Sequence, residues 1–167
     1  MKKQREFRTV RGYQMLNMEN KSLTSSMEDY LEMIYRICVR QGYTRISQLA
    51  DKLNVRPSSV TKIVQKLRKL ELIDYEKYGT IRLTKEGKLI GSFLLKRHEI
   101  IDKFLKNIGV EETRLKDTEM IEHDVSINTL KNIHFFNEFI SSNKDIKERY
   151  DIFRAEFDNE IDLIYPI

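Results

Sequence analysis

Apolar residues in this chain recur three and four positions apart in several separate stretches. Leu31, Ile34, Tyr35 and Cys38 follow Ser25-Ser-Met-Glu28, a capping-box pattern with Ser25 at the helix start and Glu28 reaching back. A helix is predicted over about 26–40, ending near Gly42. Ile46, Leu49, Ala50 and Leu53 predict a short second helix over 46–53, and Asn54-Val55-Arg56 reads as a tight connection. Pro57 suits the first position of the next helix, where a missing N–H costs nothing. Val60, Ile63, Val64 and Leu67 form that helix's buried stripe. Ser58, Ser59, Thr61, Lys62, Gln65 and Lys66 stay on its open face.

Two β-rich runs, 72–77 and 81–84, flank Gly79 and read as a hairpin. Thr84 is placed to cap a long helix through Leu89, Phe93, Leu94, His98, Ile101 and Leu105, with a left-handed stop near Gly109. Helices near 111–125 and 127–141 follow. The last segment places Ile146, Tyr150, Phe153, Phe157, Ile161 and Ile164 on one helical side that must be covered, by the chain's own core or by pairing. Residues 1–23 show no clean period and read as a basic arm. The expected fold is mainly α. A winged helix-turn-helix domain spans 24–85, an all-helical domain spans 86–142, and an amphipathic helix spans 143–167.

Composition narrows the class. The chain has 167 residues, 40% of them apolar and 34% charged, with a formal net charge of +4. No apolar run approaches the roughly 20 residues of a membrane span, and the charged N-terminus lacks the apolar stretch of a secretory signal. With one cysteine, Cys38, there is no internal disulfide framework. A cytoplasmic protein with no membrane partner is expected. The basic charge is concentrated at 52–69, where Lys52, Arg56, Lys62, Lys66, Arg68 and Lys69 occur without an acid.

Helix, short helix, turn, helix and hairpin, in that order, are the parts of a winged helix-turn-helix. Short polar side chains at the start of the Pro57 helix can approach base edges, while lysines reach bases or phosphates. Arg56, Pro57, Ser58, Ser59, Thr61, Lys62, Gln65 and Lys66 are the expected contacts to double-stranded operator DNA. Lys77, Tyr78 and Arg82 on the wing follow the adjacent backbone. Such readers work as dimers, because half-sites lie ~34 Å apart. The later helices are available for a homodimer.

A second chemistry overlaps this unit. Glu119, Glu122 and His123 fall at i, i+3 and i+4, so their side chains leave one helix face. Asp29 and Glu32 are likewise i and i+3 on the first helix, and His98 lies on the long one. Oxygen and imidazole donors without thiolate suit Mn²⁺, Fe²⁺ or Zn²⁺. Spacing alone leaves Asp102 and His134 as competing donors. It also leaves open a dinuclear metal hydrolase, or a winged-helix regulator sensing a small organic effector, although no nucleophile or oxyanion motif accompanies the acids.

From Ser25 to Phe139 the chain resembles the diphtheria-toxin-repressor family of metal-dependent regulators, most closely its manganese-responsive branch. The resemblance rests on Ser26-Met-Glu-Asp29-Tyr-Leu-Glu32, Pro57-Ser-Ser-Val-Thr-Lys62-Ile-Val-Gln-Lys-Leu67, Tyr75-Glu-Lys-Tyr78, Arg97-His98-Glu99 and Glu119-x-x-Glu122-His123. It implies a homodimeric repressor of manganese uptake, not an enzyme. It implies two Mn²⁺ per subunit held by Asp29, Glu32, His98, Glu119, Glu122 and His123, with Fe²⁺, Zn²⁺ and Cd²⁺ as competitors. Iron-responsive relatives carry a methionine where this chain has Asp29 and a cysteine where it has Glu122.

Overall fold

A computed structural model describes residues 23–76 and 79–164, with side chains described as far as 157. The basic arm, the wing-tip pair Lys77 and Tyr78, and the side chains of Ile161 and Ile164 lie outside the described residues. Two compact units divide between Arg97 and His98.

The first unit begins with α1 (Ser25–Gln41), followed by β1 (Thr44–Arg45), α2 (Ile46–Leu53), α3 (Pro57–Lys69), β2 (Ile73–Tyr75) and β3 (Thr80–Leu83). Helix α4 (Lys85–Asn107) starts in this unit. The α1 cap is Thr24 rather than Ser25: its hydroxyl accepts from the Met27 amide at 3.3 Å. The Glu28 carboxylate takes a 2.8 Å bond from the Arg97 guanidinium. A buried arginine, 5% exposed, is a stronger partner for a carboxylate than a backbone amide. The helix ends at Gly42, whose φ of 84° is open to glycine at little cost.

Pro57 opens α3 as expected. Val60, Val64 and Leu67 are buried with Leu31, Ile34 and Leu49 of the two preceding helices, while Ile63 is only half-buried. The hairpin belongs to a three-stranded antiparallel sheet ordered β1-β3-β2, with Thr44 opposite Ile81 and Ile73 opposite Leu83. Strand β1 is too short to show a period, so its sequence carried no strand signal. Thr84 caps α4 by accepting from the Gly87 amide at 3.0 Å. At Gly87 and Gly91 an added Cβ would collide with the Leu72 carbonyl and the Tyr35 side chain, so glycine is what lets α4 lie this close to its neighbours.

The second unit comprises the end of α4, α5 (Arg114–Glu122), α6 (Ile127–Ser142) and α7 (Lys144–Ile164). Helix α4 runs out before Gly109, at φ 88°. Tyr150 Oη and Arg154 Nη1 of α7 each donate to the Ile108 carbonyl at 3.2 Å, holding α7 on the end of α4. On the apolar side of α7, Tyr150, Phe153 and Phe157 are exposed and Ile146 is half-buried among the described residues. Phe153 and Phe157 stack on each other with ring centroids 4.5 Å apart. No helix among the described residues is long and apolar enough to cross a membrane.

Cys38 sits in the first core, 8% exposed, with its Sγ 3.9 Å from the Ile81 carbonyl. Burial pushes its thiol above the usual range. The native protein is therefore expected to react with a disulfide-exchange reagent at neutral pH at least about tenfold more slowly than the urea-unfolded chain. Equal rates in a stopped-flow thiol assay would show that this core opens freely.

Candidate metal centre and nucleic-acid interface

Helix α1 presents two of the six candidate ligands. Asp29 is exposed, and Glu32 is buried at 8% exposure. Between them Tyr30 is buried, and desolvation, then the Asp29 negative charge, push its hydroxyl above its ordinary pKa. Glu32 is gripped from one turn further on: Arg36 Nε and Nη2 reach the same oxygen, Oε1, at 2.8 and 2.6 Å. Arg36 is not among the residues that the sequence motifs single out. Its i+4 spacing from a carboxylate on a helix was the available signal.

The second unit brings together three more. His98 Nδ1 lies 2.9 Å from Glu122 Oε2. His123 Nε2 is 3.9 Å from Glu122 Oε1. Glu122 is almost fully enclosed at 3% exposure, and both histidine side chains are mostly covered, at 16% and 15%. Glu119 is exposed on the same helix. A carboxylate so enclosed is costly unless cations or hydrogen-bond donors surround it. Imidazole and carboxylate donors at this separation fit a divalent ion of the Mn²⁺, Fe²⁺ or Zn²⁺ type. The competing donors have other partners: Asp102 accepts from Arg114 Nε at 3.0 Å, and the His134 ring lies tilted against Phe135.

Asn137 is a buried polar residue of α6. It is 1% exposed, donates to the Ile100 carbonyl at 2.8 Å and accepts from Asn107 Nδ2 at 2.9 Å. It thereby ties α6 to the stretch of α4 that follows His98.

On the first unit, Arg56, Pro57, Ser58, Ser59, Lys62, Gln65 and Lys66 are all exposed. Thr61 is half-buried, its hydroxyl donating to the Pro57 carbonyl at 3.0 Å. Lys62, Gln65, Lys66 and Lys69 line a shallow cleft with Ser26 and Tyr30, so the basic face of α3 continues onto the start of α1. The Tyr43 ring is flanked by the Arg45 and Arg82 guanidiniums, each 5.9 Å from its centroid. Arg45 lies on β1.

A winged helix-turn-helix with a basic recognition face, followed by a helical unit carrying a carboxylate–imidazole cluster, defines a metal-linked DNA-binding regulator. The comparisons agree. The family model "Iron dependent repressor, N-terminal DNA binding domain" matches residues 22–81, and "Iron dependent repressor, metal binding and dimerisation domain" matches 84–151. The chain belongs to the iron-dependent repressor family. It is similar to the HTH-type transcriptional regulator MntR of Bacillus subtilis, 47% identical over 129 residues, which span 74% of this chain and 91% of that one. The regulator of the same name from Geobacillus kaustophilus is 50% identical over 111 residues, 66% of this chain and 79% of that one. Among solved structures, the manganese regulator SloR matches with a TM-score of 0.61 and 30% identity, covering 68% of this chain and 54% of that chain. T. acidophilum IdeR matches in fold, with a TM-score of 0.58 and 24% identity over 67% of this chain and 53% of that chain. This chain thus spans about half the length of those two structures.

Replacing Asn137 by Ala removes the partner of a buried carbonyl and is expected to destabilise the second unit by about 1–3 kcal/mol. Urea unfolding followed by circular dichroism measures this. An unchanged midpoint would mean that Asn137 does not hold α6 to α4.

Proposed function

We propose that this protein is a manganese-responsive transcriptional regulator, a cytoplasmic homodimer that represses manganese-uptake genes. In this reading two metal ions per subunit are held by Asp29, Glu32, His98, Glu119, Glu122 and His123. The observation that carries it is the enclosed carboxylate of Glu122 set 2.9 Å from His98 Nδ1, within the domain that the family model describes as metal binding. Manganese is favoured by the donor set, which is oxygen and imidazole throughout. The hard ligands Asp29 and Glu122, where iron-responsive relatives have sulfur, point the same way, as does the likeness to a manganese regulator. Fe²⁺, Zn²⁺ and Cd²⁺ are the expected competitors, because they accept the same donors.

A bound divalent ion supplies positive charge that offsets the mutual repulsion of these carboxylates. The proposed ligands come from α1 in the first unit and from α4, α5 and the residue after α5 in the second, so metal affinity is shared by both. Ordering α1 also orders α3, whose Val60, Val64 and Leu67 are buried in the same core as Leu31 and Ile34. In a dimer, two such α3 helices address half-sites ~34 Å apart. Ser58 and Ser59 approach base edges, and Lys62 and Lys66 reach phosphates or bases. Coupling of ~1–3 kcal/mol between metal and DNA gives a several-fold to hundredfold gain in DNA affinity.

A mobility shift with promoter DNA, titrated anaerobically with Mn²⁺, Fe²⁺ and Zn²⁺, tests the reading. Binding should appear with Mn²⁺ and vanish with EDTA; binding indifferent to EDTA would point to an organic effector. Glu122→Ala should abolish Mn²⁺-dependent binding while leaving the helical spectrum and the dimer mass unchanged. Lys62→Ala should weaken DNA binding and leave Mn²⁺ affinity, measured by calorimetry, as in wild type. A matched loss of both would contradict the division of labour.

A further inference from the structure

Helix α1 holds a cation of its own beside a proposed metal ligand. Arg36 places both Nε and Nη2 on Glu32 Oε1, at 2.8 and 2.6 Å, while no partner for Oε2 occurs among the described residues. The Glu32 side chain is 10% exposed and the Arg36 side chain 39% exposed, so the ion pair runs from the interior out to solvent. Two donors on one oxygen satisfy the carboxylate's charge and leave the other oxygen able to bind something else.

We propose that Arg36 is a resident counter-cation of the metal site, which neutralises Glu32 when no ion is bound and opposes the ion's charge when one arrives, so that it raises the Mn²⁺ concentration at which the protein responds. The inference rests on the assignment of Glu32 as a ligand. Without a metal, a buried carboxylate that lost Arg36 would keep its desolvation penalty with nothing to offset it. With a metal on Oε2, the guanidinium and the divalent ion share one carboxylate and repel each other. Arg36 therefore stabilises the metal-free protein and weakens metal binding, two effects of opposite sign from one side chain. A purely structural helix pair produces the first effect only. A residue that merely aims Glu32 at the metal produces the opposite of the second.

The test compares full-length wild type with Arg36→Gln, which removes the charge, and Arg36→Lys, which keeps it. Mn²⁺ affinity is measured by competition with a fluorescent chelator, and thermal unfolding is followed in EDTA and in saturating Mn²⁺. Arg36→Gln should bind Mn²⁺ roughly tenfold more tightly, as expected for removing one partly screened charge near a divalent ion. It should also unfold at a lower temperature in EDTA and show a larger Mn²⁺-induced rise in unfolding temperature. Arg36→Lys should stay close to wild type in both. Unchanged or weaker Mn²⁺ binding by Arg36→Gln overturns the inference. Glu32→Ala separates the two levels. If it retains wild-type Mn²⁺ affinity, Glu32 is not a ligand, and the metal-site assignment falls together with the role of Arg36. If it loses affinity while Arg36→Gln does not gain any, only the role of Arg36 falls.

Discussion

Carboxylates withdrawn from water are the constraint around which this molecule is organised. A buried anion must be matched by a cation or by strong donors, or it will not stay ionised. Three carboxylates illustrate three local answers. Glu28 is matched by Arg97 at 2.8 Å, Glu32 by Arg36 one turn along the same helix, and Glu122 by the His98 ring. The Glu28–Arg97 pair fixes α1 against α4 within the first unit and belongs to the architecture. The other two lie on residues proposed as metal ligands, where a polar partner that is not metal, the Arg36 cation or the His98 ring, sets what an incoming ion must improve upon.

The DNA-reading face depends on the same helix by a different route. Leu31, Ile34, Leu49, Val60, Val64 and Leu67 have almost no exposed surface, so α1, α2 and α3 share one tightly packed core. Cores of this density transmit displacement rather than absorb it. The exposed residues of α3 and the carboxylates of α1 are therefore two surfaces of one rigid body. A change in how α1 is held must reach Lys62 and Lys66, and this is the physical basis for coupling a metal response to DNA in the proposed reading.

Much of the fold was legible because the chain is locally consistent. Helical spacing placed α2, the Pro57 start of α3, the Thr84 cap and the Gly109 stop where they occur. The start of α1 falls one residue earlier than the spacing predicts, since Thr24 and Ser25 are both competent caps and the cap is Thr24. Strand β1 has too few residues to show alternation, and its partner β3 lies far along the sequence. The apolar side of α7 was legible as a stripe, but a stripe does not say what covers it. At the site, ligand-type residues could be read from i, i+3 and i+4 spacing. Their neutralising partners were harder to read. Asn137 is recognisable only from burial, and Arg36 looks like an ordinary exposed helix residue until both of its donors are seen on Glu32 Oε1.

If metal and DNA are coupled through α1, each must tighten the binding of the other by the same factor, because linkage is reciprocal. The most direct measurement is the Mn²⁺ affinity of the full chain alone and in the presence of a saturating duplex, selected by the protein from random sequence. The account predicts tighter Mn²⁺ binding on DNA, by the same factor as Mn²⁺ tightens DNA binding. An Mn²⁺ affinity unchanged by saturating DNA would contradict it.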